Sequence, residues 1–352
     1  MNIFCTLFDS NYLDKGIVMY RSLVNTGCII KMYVLAMDER CRYILDSYHY
    51  DDLITISLEE FIEKCNLTQI RKQRSVSEFC WTCTSFLIDY VLHEFNEPIC
   101  TYLDADLYFF SNPQCLIDEM GDKCVQIVKH GFDNTPIGRM SLMQSGTYCV
   151  EFNTFKNCDR AQKLLDWWKE RCAESCTIDN PSNGVFGDQG YLEDWGNNLD
   201  VSVLMNPGGG VAPWNISRFR MDHMEGCIPY IIDKRERSVF PIIFYHFHNI
   251  VYINQYEVDT CVYNYGNIDD ELVLNLSVPY LKELDIVKNE LKDRFDFMPL
   301  LLYHPAFLNK KKSKGHNFIK FDSHILDRIY LKIVGRVLNY FRSKKNRLIF
   351  KP

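Results

Sequence analysis

Two aspartates separated by one alanine, Asp104-Ala105-Asp106, end the apolar run Ile99-Cys100-Thr101-Tyr102-Leu103. Carboxylates this close at the end of a buried strand repel one another unless a cation sits with them. Hard oxygen ligands suit Mg²⁺ or Mn²⁺, ions that usually bridge to the phosphates of a bound nucleotide instead of being fully caged by protein. By itself an Asp-x-Asp is a common chance pattern of solvated loops. Two further pieces raise its weight. The apolar segment 240–248 ends in His246-Phe247-His248-Asn249, and an imidazole from either histidine would complete a carboxylate-carboxylate-His set for Mn²⁺. Gly187-Asp188-Gln189-Gly190 sets an acid and an amide in a glycine-flanked loop before a helix start at Tyr191-Leu192.

The elements that must hold these residues follow from hydrophobic periodicity. Residues 3–7, 32–36, 53–56 and 99–103 are short apolar runs, whereas 16–24 and 77–95 have helical spacing. Strands alternating with helices predict an α/β fold, a mostly parallel sheet flanked by helices with ligands at the carboxyl ends of its strands. Further strands are expected at 125–128, 148–152 and 240–248, with an amphipathic helix over 160–171. Residues 181–210, rich in Gly, Asn and Asp, read as loops framing a site.

The chain of 352 residues is 47% hydrophobic and 24% charged, the balance of a soluble globular protein, and no stretch approaches the roughly 20 apolar residues of a membrane span. The N-terminus lacks a signal-peptide pattern and reads as a first strand, so a cytoplasmic location is expected. Fifteen cysteines scattered on apolar faces fit a reducing compartment, and Cys80-Trp81-Thr82-Cys83 falls inside a helix pattern, where packing is the expected role. Charge is divided unevenly. Residues 306–352 carry thirteen Lys/Arg against Asp322 and Asp327, or +11, which leaves 26 Lys/Arg against 44 acids, or −18, on the first 305. In the tail, Leu326, Ile329, Tyr330, Ile333, Val337, Tyr340 and Phe341 fall on one helical stripe, opposite Arg328, Lys332 and Arg336. A basic amphipathic helix of this kind, with Lys310, Lys311, Lys312 and Lys314 nearby, predicts an anionic membrane surface as partner; a terminal helix docked on the core is its rival, and nucleic acid is disfavoured.

Taken together these residues resemble the metal-dependent GT-A glycosyltransferases, specifically the retaining family 8 enzymes related to glycogenin and bacterial lipopolysaccharide galactosyltransferases. The resemblance spans residues 1–255. It rests on the Asp-x-Asp after an apolar strand, Asp-Gln about 80 residues later and a histidine ending a late strand. Phe152-Asn153-Thr154 and Pro207-Gly208-Gly209-Gly210-Val211-Ala212-Pro213-Trp214-Asn215 also resemble family segments. It implies a GT-A, Rossmann-like mixed sheet over 1–255, a helical extension over 256–305 and a basic C-terminal tail over 306–352. It further implies that Asp104, Asp106 and His246 hold Mn²⁺ or Mg²⁺ on a nucleotide-sugar donor, with uridine as its nucleoside. Thr6, Asp9, Arg74, Ala105, Asn153 and His248 would contact that donor, and Asp188 and Gln189 would sit beside the transferring sugar. A glycan or lipid-linked saccharide at the inner membrane face is the implied acceptor. One departure is visible: the family follows its histidine with a glycine and a Lys-Pro-Trp, whereas Asn249-Ile250-Val251-Tyr252 follows here. His248 or Arg74 would then meet the donor phosphates. The rival readings are a sugar-phosphate nucleotidyltransferase, which wants a Gly-rich basic loop where Phe8-Asp9-Ser10-Asn11-Tyr12 stands, and a non-enzymatic glycan- or nucleic-acid-binding module, which leaves the acids unexplained.

Overall fold

The computed structural model describes residues 1–177, 186–254, 257–299 and 347–349. The first part of the chain is β1 (Asn2–Phe8), α1 (Leu13–Asn25), β2 (Ile30–Ala36), α2 (Glu39–Tyr48), β3 (Leu53–Ser57), the short α3 (Leu58–Lys64) and α4 (Thr68–Gln73), α5 (Val76–Glu94) and β4 (Ile99–Leu103). Its four strands lie parallel in the order β3-β2-β1-β4, as the alternation of patterns predicts. β5 (Leu107–Phe109), α6 (Gln114–Asp118), β6 (Val125–Lys129), α7 (Pro136–Ser145), β7 (Tyr148–Lys156), α8 (Asp159–Glu174) and β8 (Val201–Val203) follow. β7, β6 and β8 extend the sheet beyond β4, and β7 is the reversed strand, antiparallel to both of its neighbours.

That reversal matters for the site. The parallel strands end at one edge of the sheet, and β7 begins there, so Phe152 stands opposite Leu103 and the Asp104 amide donates to the Glu151 carbonyl at 3.2 Å. Alternation along β1 sends Phe4 and Phe8 into a core layer with α1 and Tyr280, and Ile3, Cys5 and Leu7 into a layer with α5 and Trp168. Burial of such side chains on both faces contributes about 1.5–3 kcal/mol each. α5 starts at a capping box between Ser75 and Glu78.

The rest of the chain is β9 (Phe219–Glu225), β10 (Ile228–Asp233) and β11 (Val239–Pro241), an antiparallel trio, then β12 (Phe244–His246), β13 (Val251–Asn254), β14 (Glu257–Asp259), α9 (Asp270–Phe295) and β15 (Arg347–Ile349). The single strand expected over 240–248 is two. Pro241 has no N–H to continue the β11 ladder, the Ile243 amide leaves to the Gly208 carbonyl, and β12 then pairs antiparallel with β5 instead. The helix start expected at Tyr191 is a 3-10 turn, Gln189–Trp195. α9 packs against α1, where Glu290 forms a bidentate pair with Arg21 at 3.0 and 2.6 Å. Apart from β15, the basic tail lies outside the described residues. All fifteen cysteines are unpaired, and burial raises the thiols of Cys80 and Cys83, which suits packing and not redox chemistry. Among the described residues no helix is long and apolar enough to cross a membrane.

Candidate metal and donor site

β4 delivers Asp104 to the sheet edge, where its Oδ1 accepts from the Tyr102 hydroxyl at 3.2 Å. The chain then turns into β5. Pairing of β5 with β12 sets His246 opposite Leu107, and the Phe247 amide donates to the Asp106 carbonyl at 2.8 Å. The two segments are thereby fixed against each other. His246 Nε2 lies 3.0 Å from Asp106 Oδ1 and 3.8 Å from Asp104 Oδ2, and Nδ1 lies 2.6 Å from Glu151 Oε2. One ligand atom each from Asp106, His246 and His248 falls within 4.8 Å of the others. Trp214 meets both imidazoles edge-on, with centroids 5.2 and 5.5 Å away. Asn249 adopts a left-handed φ of 61°.

The electrostatics are those of a crowded anionic site. Burial, with Asp106 and Glu151, raises the Asp104 carboxyl well above the usual range despite His246. Burial also acts to raise Asp106, but the charge and hydrogen bond of His246, helped by His248 and Lys15, hold it low. Burial opposes a charged His246, yet Asp106, Cys149 and Glu151 raise its pKa well above the ordinary value. His248 is pushed down to about 4 by burial and by the neighbouring His246. A proton on His246 Nε2 thus reconciles the acids with each other. The same donor set would suit a divalent cation in that proton's place, with Glu151, fully buried, holding Nδ1 and leaving Nε2 toward the aspartates.

The other residues singled out in the sequence fall in three groups. Asp188 is buried, near enough to Tyr102 and Asp104 to raise both, and burial pushes its own carboxyl up to about 7. Its backbone carbonyl accepts from Trp168 Nε1 at 3.0 Å, and the Gln189 amide donates to the Ser145 carbonyl at 2.7 Å. Thr6 on β1 and Asn153 on β7 are buried with side-chain polar atoms that find no hydrogen-bond partner among the described residues, and Ala105 is buried. Asp9 and Arg74 are engaged locally. The Asp9 carboxylate caps the turn Ser10–Tyr12, accepting from the amides of Asn11 and Tyr12, and Arg74 Nη2 donates to the Ala173 carbonyl at 3.1 Å, at the end of α8. Glu151, Tyr12 and Lys15 were not singled out from the sequence, and Trp214 entered only within the segment 207–215. Glu151 left one signal, as the single charged residue in the otherwise uncharged segment Tyr-Cys-Val-Glu-Phe-Asn-Thr-Phe. Beside Gln189 lies a cleft of about 300 Å³ lined by Leu142, Met143, Gly146, Thr147, Phe186 and Glu193.

No family model matches the chain. It is 30% identical over 262 residues to the uncharacterized protein YfnF of Bacillus subtilis, covering 72% of this chain and 83% of YfnF. With the uncharacterized protein YfnD of the same organism the identity is 25% over 323 residues, 91% of this chain and 98% of YfnD. Among solved structures, the galactosyltransferase LgtC in complex with donor and acceptor sugar analogs superposes with a TM-score of 0.50 at 13% identity, over 83% of this chain and all of LgtC. The chain belongs to the family of YfnF, and its fold is the GT-A glycosyltransferase fold, resembling family 8.

Proposed function

We propose that this protein is a metal-dependent glycosyltransferase that moves a sugar from a nucleoside diphosphate sugar, UDP-linked first among them, with retention, to a glycan or lipid-linked glycan at the cytoplasmic membrane face. The observation that carries the reading is the convergence of Asp104, Asp106, His246 and His248 at the carboxyl edge of the sheet, with Glu151 behind His246. A divalent cation, Mn²⁺ or Mg²⁺, held by Asp104, Asp106 and His246, would supply Lewis-acid stabilisation of the departing diphosphate. The remaining work belongs to the chain itself. Glu151 orients His246, and the Trp214 ring packs edge-on against both histidines. Thr6 and Asn153, buried with polar atoms that find no partner among the described residues, are suited to the hydroxyls of nucleoside and sugar, with Asp9 at the nucleoside and His248 or Arg74 at the phosphates. Asp188 and Gln189 flank the sugar, where a carboxyl or amide oxygen shields one face of an oxocarbenium-like centre. A diphosphate leaves without a protonating acid, so none is assigned. The domain division at 255 and 305 goes with this reading, and the +11 tail would hold the enzyme on anionic lipid.

Differential scanning fluorimetry of the full chain with UDP, GDP and CDP, each with and without MnCl₂, tests the reading. A rise in melting temperature that needs both nucleotide and metal is expected, and absence of any metal-dependent nucleotide shift overturns it.

A further inference from the structure

A buried indole N–H that finds no acceptor is costly, and the molecule keeps one against its two site histidines. Trp214 is 7% exposed, and its Nε1 has no hydrogen-bond partner among the described residues. Its place is fixed from several sides. The Asn215 side chain donates through Nδ2 to the His130 and Gly210 carbonyls, both at 2.8 Å, and accepts the Ala212 amide at 3.0 Å. The His246 amide donates to the Val211 carbonyl at 3.0 Å, which ties β12 to the same turn. Around the indole stand the rings of His130, His246 and His248, at centroid distances of 5.3, 5.2 and 5.5 Å. A donor held this firmly and left unsatisfied is suited to an acceptor that arrives with a ligand.

Position and chemistry limit that ligand. An indole nitrogen can only donate, so its partner is an atom with a lone pair to offer. The rings of His246 and His248 belong to the candidate metal group they share with Asp106, so the partner arrives where a metal and a diphosphate would meet. Cationic help is scarce after the histidines, because residues 249–254 hold no lysine or arginine. We infer that Trp214 is a binding residue for the donor, its Nε1–H hydrogen-bonding a diphosphate oxygen beside His246 and His248. The inference rests on the nucleotide-sugar reading above and deepens it, by naming a neutral donor on the segment 207–215. A hydrogen bond to a charged oxygen is stronger than one to a hydroxyl, so the effect belongs to the phosphates and not to the nucleoside.

Isothermal titration of the full chain with UDP, GDP and CDP, each beside its own nucleoside in MgCl₂, tests the assignment. Trp214→Phe keeps an aromatic ring against the histidines and removes the N–H. It is expected to weaken the diphosphate that wild type binds by about tenfold and its nucleoside by less than about twofold, the loss of one hydrogen bond to a charged oxygen. A second measurement needs no variant. In ¹H–¹⁵N spectra of the wild type, one of the five indole N–H signals should move downfield with the diphosphate and stay in place with the nucleoside. If Trp214→Phe binds the diphosphate as wild type does, if diphosphate and nucleoside weaken together, or if no indole signal distinguishes the two ligands, the assignment of Trp214 is overturned while the nucleotide reading stands. If wild type binds no nucleoside diphosphate, the nucleotide reading falls, and the inference with it.

Discussion

Glu151 shows how one side chain sets the state of another. Its Oε2, 2.6 Å from His246 Nδ1, decides which imidazole nitrogen faces the two aspartates. Glu151→Gln keeps the shape and removes the charge, so under the proposed metal site Mn²⁺ affinity should fall about 10- to 100-fold, read by titration with electron paramagnetic resonance. Asp188 offers a prediction about pH. Its carboxyl titrates near 7 when folded and near 3.9 when unfolded, because burial disfavours the charged form. Between those values the folded chain binds the extra proton, so stability is present at low pH and is lost as pH rises from about 4 to about 7. The loss is at most about 4 kcal/mol. In EDTA, the wild-type urea midpoint should drop between pH 4.5 and pH 7.5 by more than that of Asp188→Asn, which stays neutral throughout.

At the scale of elements, α8 supports the loop that carries Asp188. Trp168 is fully buried, stacked on Phe155 at 6.0 Å, and its indole N–H satisfies the Asp188 carbonyl. Trp168→Phe keeps most of the packing and orphans that carbonyl, which should cost about 1–3 kcal/mol in urea unfolding. Under the proposed reaction kcat should fall while KM for the donor changes little, because the nucleoside is held elsewhere. The parallel half of the sheet was legible because β1, β2, β3 and β4 are apolar runs between helical patterns, each signal being local. Asp104, Asp106, His246 and His248, which the structure brings together, stood out for the same reason: each sits where an apolar run ends. What could not be read was set by distant pairing. Glu151 gains its meaning from His246, 95 residues away, through the reversal of β7. The strand expected over 240–248 divides because its backbone partners, Gly208 and β5, lie far off in sequence. Periodicity carries neither fact.

At the scale of the whole molecule, the uneven charge makes membrane association testable. The +11 of residues 306–352 is set against −18 on the remainder, so attraction to anionic lipid should be local to the tail and sensitive to salt. Replacing Lys310, Lys311, Lys312 and Lys314 by Gln should remove most binding to phosphatidylserine vesicles in a flotation assay at 0.1 M salt. Equal flotation would exclude the tail as anchor. The pairing of β5 with β12 has a last consequence, for the order of events in folding. It joins Leu107 to His246 across more than a third of the chain, a closure whose entropy is gained back late in folding. Under the proposed metal site, His246 joins Asp104 and Asp106 only with that closure. Mn²⁺ should therefore find its full site only after the rate-limiting barrier, slowing the unfolding arm of a stopped-flow chevron and leaving the refolding arm where it was.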